Sequence, residues 1–233
     1  MNKITYLVTV YNEIKTVERA INDVLNIKYK NKEIIVIDNG SNDGSKKIIQ
    51  KFTKIKSILR KKNLGFGKTV MSGINKSKGK YVFIQYSDLE YDHKRSLDMM
   101  RLAEKKKLDV VLGSRLKYTK KNLKLILNKP SYLATIICTF LINIFYNKNF
   151  TDIIGAKLYR TESIKNLKIN NFKEGFDFEL MSKISKMGLK TAEMSIKYKP
   201  RENSSEKKIK FYHMFNALYE IFRVKLFINK FYQ

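Results

Sequence analysis

Three acids stand within five residues at Asp88, Glu90 and Asp92, directly after the apolar run Tyr81–Tyr86. A short buried strand that ends in carboxylates is where an open α/β sheet places ligand and metal chemistry. Carboxylates are hard oxygen donors, so the cluster can hold a divalent cation against a diphosphate. The same residues fit a plainer description, an acidic helix start with Asp92 capping a helix that begins near Lys94.

Two further segments bear on that choice. Ile37-Asp38-Asn39-Gly40-Ser41-Asn42-Asp43-Gly44-Ser45 follows another apolar run. A carboxylate at a strand end, followed by a glycine turn, can accept from a base or ribose while the backbone stays close to the ligand. Asn-Gly and Asp-Gly are also ordinary turn pairs. Asn63-Leu64-Gly65-Phe66-Gly67 is a weaker signal of the same kind. Val8-Thr9-Val10-Tyr11-Asn12-Glu13 has none of the Gly-x-Gly-x-x-Gly that marks a dinucleotide site, and Gly67-Lys68-Thr69 lacks the earlier glycine of a phosphate loop. His93 and His213 have no His or Cys partner at zinc-ligand spacing.

These segments must be held by a scaffold, and the pattern predicts one. Apolar strands over Ile4–Val10, Glu33–Asp38, Ile55–Leu59, Tyr81–Tyr86 and Asp109–Leu112 alternate with helical spacing over 14–25, 45–52, 68–76 and 97–106. Such alternation, with strands buried on both faces, predicts an α/β fold: a mostly parallel central sheet with helices on each side. The second half is less regular. Strands are expected at Ala156–Arg160 and Ala192–Tyr198, and a helix over Phe178–Met187 that Gly188 ends. Tyr132–Tyr146 is apolar almost all round and short for a bilayer span; a buried core helix and a helix at a membrane surface both fit. The tail, Lys210–Phe231, reads as an amphipathic helix with Phe211, Met214, Phe215, Leu218, Phe222 and Leu226 on one face.

The bulk numbers bound the rest. A chain of 233 residues can bury a full core. Its single cysteine, Cys138, allows no intrachain disulfide and suits a reducing compartment. Ile4–Val10 is too short and wrongly flanked for a signal peptide. A net charge of +27 favours polyanions: nucleic acid, an anionic membrane or phosphorylated substrates. The basic residues are spread throughout without a recognition motif, which argues against nucleic acid. Part of the charge is the Lys, Asn and Ile bias of an AT-rich genome.

The order of the motifs is more specific than any one of them. Val10-Tyr11-Asn12-Glu13, Asp38 to Ser45, Asn63-Leu64-Gly65 and Asp88-Leu89-Glu90-Tyr91-Asp92 follow successive strands or precede a helix. Gly113-Ser114-Arg115, Thr151-Asp152, Phe176-Asp177-Phe178-Glu179 and Tyr198-Lys199-Pro200-Arg201 continue the series. In this the chain resembles the family 2 inverting glycosyltransferases of GT-A fold, and within them the dolichyl/polyprenyl-phosphate hexose synthases. The resemblance implies one GT-A domain over 1–233, with a nucleotide-sugar half (1–115), an acceptor half (116–209) and a C-terminal amphipathic helix (210–233). It implies that Val10, Tyr11, Glu13, Asp38, Asn39, Gly65, Lys68 and Ser87 bind the nucleotide sugar. Asp88 and Glu90 would hold Mg2+ or Mn2+. Asp88, Arg115 and Asp152 would be catalytic, and Arg201, Lys207 and Lys208 would bind acceptor or phosphate. Two departures stand out: Asn39 replaces a second Asp, and Tyr86 replaces the first Asp of an Asp-x-Asp motif.

The implied reaction moves a hexose from a UDP or GDP sugar to a polyprenyl phosphate, with inversion, at the inner face of an anionic cell membrane. A lipid phosphate needs little help from a base. A sugar hydroxyl would need a carboxylate, with Asp152, Asp177 and Glu179 as candidates and a salt bridge as the plainer role of each. A glycan acceptor, a GT-A domain that binds nucleotide sugars without turnover and, least, a nucleic-acid-binding protein are the rival readings.

Overall fold

Strands with no solvent-facing side decide the architecture. In the computed structural model, which describes residues 2–117, 130–200, 213–227 and 231, β1 (Ile4–Val10) is buried at all seven positions. Its alternate side chains enter two separate cores, so helices must cover both faces of the sheet. The elements that follow are α1 (Val17–Leu25), β2 (Lys32–Asp38), α2 (Ser45–Ile49), β3 (Lys56–Leu59), α3 (Phe66–Lys76), β4 (Tyr81–Tyr86), α4 (Ser96–Lys106) and β5 (Val110–Ser114). Then come α5 (Pro130–Tyr146), β6 (Ala156–Arg160), α6 (Thr161–Ile164), α7 (Phe176–Lys186), β7 (Thr191–Ser195) and α8 (His213–Phe227).

The described strands form one seven-stranded sheet in the order β3-β2-β1-β4-β6-β5-β7. β1 pairs in parallel with β2 and β4, and only β6 runs against its neighbours β4 and β5. Leu7, Ile35, Ile37, Val82 and Ile84 pack with residues of α3, α5, α7 and α8 on one face. Ile4, Tyr6, Val8, Val36 and Phe83 pack with α1 and α4 on the other. The register sets Val10 opposite Asp38 and Thr9 opposite Tyr86. The chain leaves β1, β2 and β4 at one level, at the point where the strand order reverses.

Two helices differ from expectation in an instructive way. α5 serves both of its readings: Cys138 and Ile142 are fully buried, while Leu133, Ile137, Phe140 and Ile144 face outward. In α8 the expected face is divided, with Met214 and Leu218 packed against the core and its other described members outside. Ala217, Ile221 and Val224 are the buried contacts, and Phe215, Phe222 and Leu226 are exposed. Small residues allow close approach to α5 and α7, so the large aromatics are left outside. Among the described residues no helix is long and apolar enough to cross a membrane.

Candidate active site

The loops after β1 and β2 are stitched together by short polar side chains. Asn12 N donates to Ser41 Oγ at 2.9 Å, Glu13 N to Ser45 Oγ at 3.0 Å and Ile14 N to Asp43 Oδ2 at 2.8 Å. Asn42 N returns a bond to Asn12 Oδ1. Burial pushes the Asp43 carboxyl upward, but the bonds from Ser45 and Ile14 outweigh it and hold Asp43 below its ordinary value. Asn12 sits at φ 53, a left-handed conformation that Asn tolerates. The polar run of 38–45 is therefore a rigid frame for the pocket floor as well as a turn.

Asp38 is fully buried at the end of β2. Its Oδ1 accepts from Gly40 N and Ser41 N at 3.0 Å each, while Oδ2 has no hydrogen-bond partner among the described residues. A buried carboxylate oxygen without a partner is costly, and here it lies at the switch point of the sheet. Asn39 has a different task. Its Oδ1 accepts from Arg60 and Leu64 N, and its Nδ2 donates to Asn63 Oδ1. Both ends of the amide are thus used to hold the Asn63–Gly65 loop. Gly65 has φ 91, and a Cβ there would lie 2.2 Å from the Phe172 carbonyl oxygen, so only glycine fits. Lys68 is exposed and lies over the Phe172 ring, 4.8 Å from its centroid. Arg60, which no sequence motif marks, gathers Asn39, Thr69, Ser72 and the Lys68 carbonyl around one guanidinium.

Beyond β4, Ser87 is a tie, donating to the Thr9 carbonyl at 2.7 Å. Asp88 is half-buried and accepts from Glu90 N at 3.1 Å. Glu90 Oε2 accepts from Tyr198 Oη at 2.9 Å. Asp92 is the cap foreseen for it, accepting from Lys94 N at 2.9 Å. Asp88 and Glu90 are the two carboxylates of this stretch expected to hold a cation. Among the described residues no group of three His, Cys, Asp or Glu could hold a metal ion alone. Two carboxylates completed by diphosphate oxygens still suit Mg2+ or Mn2+, which commonly take few protein ligands.

Behind the acids stands a wall of tyrosines absent from the sequence reading. Tyr86 stacks on Phe66 and packs against Tyr91, and Tyr91 packs against Tyr198. Tyr132 and Tyr198 share a hydrogen bond between their hydroxyls. Burial, with Asp177 and Asp88 adding to it, pushes the Tyr86 hydroxyl well above its ordinary pKa, so it stays neutral. The Arg115 guanidinium lies over the rings of Tyr132 and Tyr198, 5.1 and 5.5 Å from their centroids.

Arg115 and Asp152, expected separately, meet in one buried bidentate pair. Nε donates to Oδ2 at 2.6 Å, Nη2 to Oδ1 at 2.8 Å and the Arg115 backbone N to Oδ2 at 3.0 Å. Burial would raise the Asp152 pKa, but Arg115 more than offsets this and holds it below the usual range. Glu179 is also sequestered, fully buried between Lys183 and Arg223 and accepting from Asn170 N and Asn171 N. Asp177, at the start of α7, pairs with the buried Lys157 at 3.0 Å and keeps 17% of its side chain exposed. Arg201, Lys207 and Lys208 lie outside the described residues.

Acids at a switch point, before a parallel sheet flanked by helices on both faces, are the frame of a nucleotide-diphospho-sugar transferase. Residues 5–168 match glycosyl transferase family 2: the chain belongs to that family, has its GT-A fold and is a glycosyltransferase. An uncharacterized protein of Methanocaldococcus jannaschii is 29% identical over 210 residues, spanning 82% of this chain and 87% of its own. Poly-beta-1,6-N-acetyl-D-glucosamine synthase of Staphylococcus epidermidis is 32% identical over 115 residues, 48% of this chain but 28% of that protein. Among solved structures, glucosyl-3-phosphoglycerate synthase of Mycobacterium tuberculosis, with Mn2+, uridine diphosphate and phosphoglyceric acid, has a TM-score of 0.71 at 13% identity. That likeness covers 98% of this chain and 80% of the other, and at such identity it shows the fold.

Proposed function

We propose that the protein transfers a hexose from a nucleoside-diphosphate sugar to a polyprenyl-phosphate acceptor, with inversion at the anomeric carbon. The observation that carries the acceptor is the state of the three candidate bases. Asp152 is held by Arg115 and Glu179 by Lys183 and Arg223, and Asp177 lies 3.0 Å from the Lys157 ammonium. A carboxylate whose oxygens already face a cation has fewer lone pairs to offer an incoming hydroxyl. A phosphate oxygen is already anionic near neutral pH and attacks without a base.

On the donor side the Asp38 oxygen without a partner supports nucleotide binding, because a base N–H or ribose hydroxyl would satisfy it. Val10, Tyr11, Glu13 and Gly65 would line the same pocket, with Asn39 and Ser87 holding its walls and Lys68 offering charge to a phosphate. Asp88 and Glu90 would hold the divalent ion, which when bound offsets charge on the departing diphosphate. The Mn2+ and UDP in the mycobacterial neighbour are in keeping with this. Arg115, positioned by Asp152, would steady the phosphates from the acceptor side. We place the reaction at the cytoplasmic face of a membrane, with the chain bound peripherally.

A second reading rests on Asp177. It keeps part of its carboxylate exposed and lies close enough to Tyr86 to raise its pKa, so it is the base that a glycan hydroxyl would use. The test is transfer from UDP-glucose, UDP-N-acetylglucosamine or GDP-mannose, with Mn2+ or Mg2+, to a short-chain prenyl phosphate or to a glucosamine oligomer. A sugar phosphodiester of inverted configuration is expected. Transfer only to the oligomer supports the second reading, and nucleotide binding without any transfer would leave a non-catalytic domain.

A further inference from the structure

α5 and α8 lie side by side and each turns an apolar stripe to solvent. On α5 the stripe is Leu133, Ile137, Phe140 and Ile144, spaced at helical intervals and 38% to 60% exposed. On α8 it is Phe215, Tyr219, Phe222 and Leu226, 44% to 66% exposed, with Phe227 beyond them. The two helices are joined by an edge-to-face contact of Phe145 with Phe222 and by Lys225 Nζ donating to the Phe145 carbonyl at 2.8 Å. Side chains of this size are not left out singly here; they are adjacent on two packed helices, which marks an interaction surface.

We propose that this double stripe docks the protein on an anionic lipid surface. Resting on the polyprenyl-phosphate reading above, it names the face through which the acceptor is reached. Charge is the first support. α5 carries no charged residue, and the one acid of α8, Glu220, is buried and paired with Arg223 and Asn171. Among the described residues of α5 and α8, no carboxylate therefore interrupts the face. Lys225 is exposed between the stripes. Apolar side chains bordered by lysine are what an anionic interface binds. Position is the second support. Tyr132, buried against Tyr198 and under Arg115, immediately precedes Leu133, where the stripe begins. A lipid surface on the stripe would lie beside the acceptor side of the site. A second copy of the chain fits less well. A two-fold pairing sets like surfaces together, bringing lysine to lysine in a chain of net charge +27.

The test is flotation of the full chain with phosphatidylglycerol/phosphatidylcholine vesicles and with phosphatidylcholine alone, at low and high salt, without any acceptor lipid. Binding to the anionic vesicles that weakens with salt is expected. Phe140→Ser with Ile144→Ser, and separately Phe215→Ser with Leu226→Ser, should each weaken it at least tenfold while the circular dichroism and melting temperature hold. Absence of binding in every condition, or variants that bind undiminished, would overturn the proposal. So would a dimer, seen by light scattering, that these variants dissociate. Transfer to a soluble short-chain prenyl phosphate, measured without vesicles, separates the two ideas. Transfer without docking sinks only the membrane face, and docking without transfer sinks only the acceptor.

Discussion

Tyr86 stacks on Phe66 with ring centroids 5.7 Å apart and 17° between planes, at the position where the sequence resemblance leads one to expect an Asp. An aromatic side chain here closes the end of β4 against α3 and keeps a third carboxylate away from Asp88 and Asp177. Tyr86→Asp should tighten Mn2+ binding in the presence of UDP several-fold. It should also lower stability by about 1–3 kcal/mol, because the stack is lost and a carboxyl enters a crowded acidic corner. Calorimetric Mn2+ titration beside thermal unfolding reads both. An unchanged Mn2+ affinity would mean that position 86 does not face the ion.

Asp88→Asn and Glu90→Gln remove the two carboxylates expected to hold a cation after β4. Each should lower turnover by about two orders of magnitude or more, in line with several kcal/mol of lost charge stabilisation. Neither residue is deeply buried, so melting temperatures should stay close to that of the parent protein. Full activity in Asp88→Asn would remove the metal role from this strand end.

The Arg115–Asp152 pair is a stability device with a pH signature. Breaking one partner of a buried pair leaves the other charge uncompensated, so Arg115→Met or Asp152→Asn should cost about 3–5 kcal/mol. Folding lowers the Asp152 pKa, so its contribution is complete above the unfolded value of about 3.9 and is lost as pH falls through the folded value. Urea unfolding between pH 3 and 7 should show stability falling on the acid side in the parent protein and falling less in Asp152→Asn. Glu33 and Asp43 have lowered pKa values too, so the slope is reduced and not abolished. Identical acid profiles would show that the pair contributes nothing to the pH dependence.

What was legible in the sequence was local. β1, β2 and β4 announce themselves because each is a continuous apolar run stopped by a polar turn, and the acids at their ends follow. The α8 pattern leaves open whether its large side chains dock on the domain or face outward, and the structure divides them: Met214 and Leu218 pack on the core while Phe215, Phe222 and Leu226 are exposed. The core there is built from Ala217, Ile221 and Val224, and the hydrophobic pattern does not say which of two apolar faces is covered. Arg115 and Asp152 are both candidates by residue type, but nothing in the 36 residues between them says that they bind each other. The tyrosine wall assembles Tyr86 and Tyr91 with Tyr132 and Tyr198 from three distant stretches of chain, so no window of sequence contains it. Asn39 holds the Asn63–Gly65 loop, because its amide donates and accepts at once, as a carboxylate cannot, and no sequence pattern shows that contact.

Asp177 decides between the two acceptors. A general base contributes about 10²–10⁴-fold to rate. If the nucleophile is a phosphate oxygen, Asp177→Asn removes only an ion-pair partner of Lys157, and turnover with a short-chain prenyl phosphate should fall by less than about tenfold. The buried Lys157 would lose its 3.0 Å contact but keep the Ile154 and Gly155 carbonyls at 3.3 Å. A melting temperature lowered by a few degrees, corresponding to about 1 kcal/mol, is therefore expected alongside. The pH–rate profile carries the second half of the test. With a phosphate acceptor the acidic limb follows protonation of the acceptor and is the same in parent and variant. Should Asp177→Asn instead lose a hundredfold or more in kcat while binding the donor normally, and lose the acidic limb as well, the carboxylate is a base. The acceptor is then a hydroxyl.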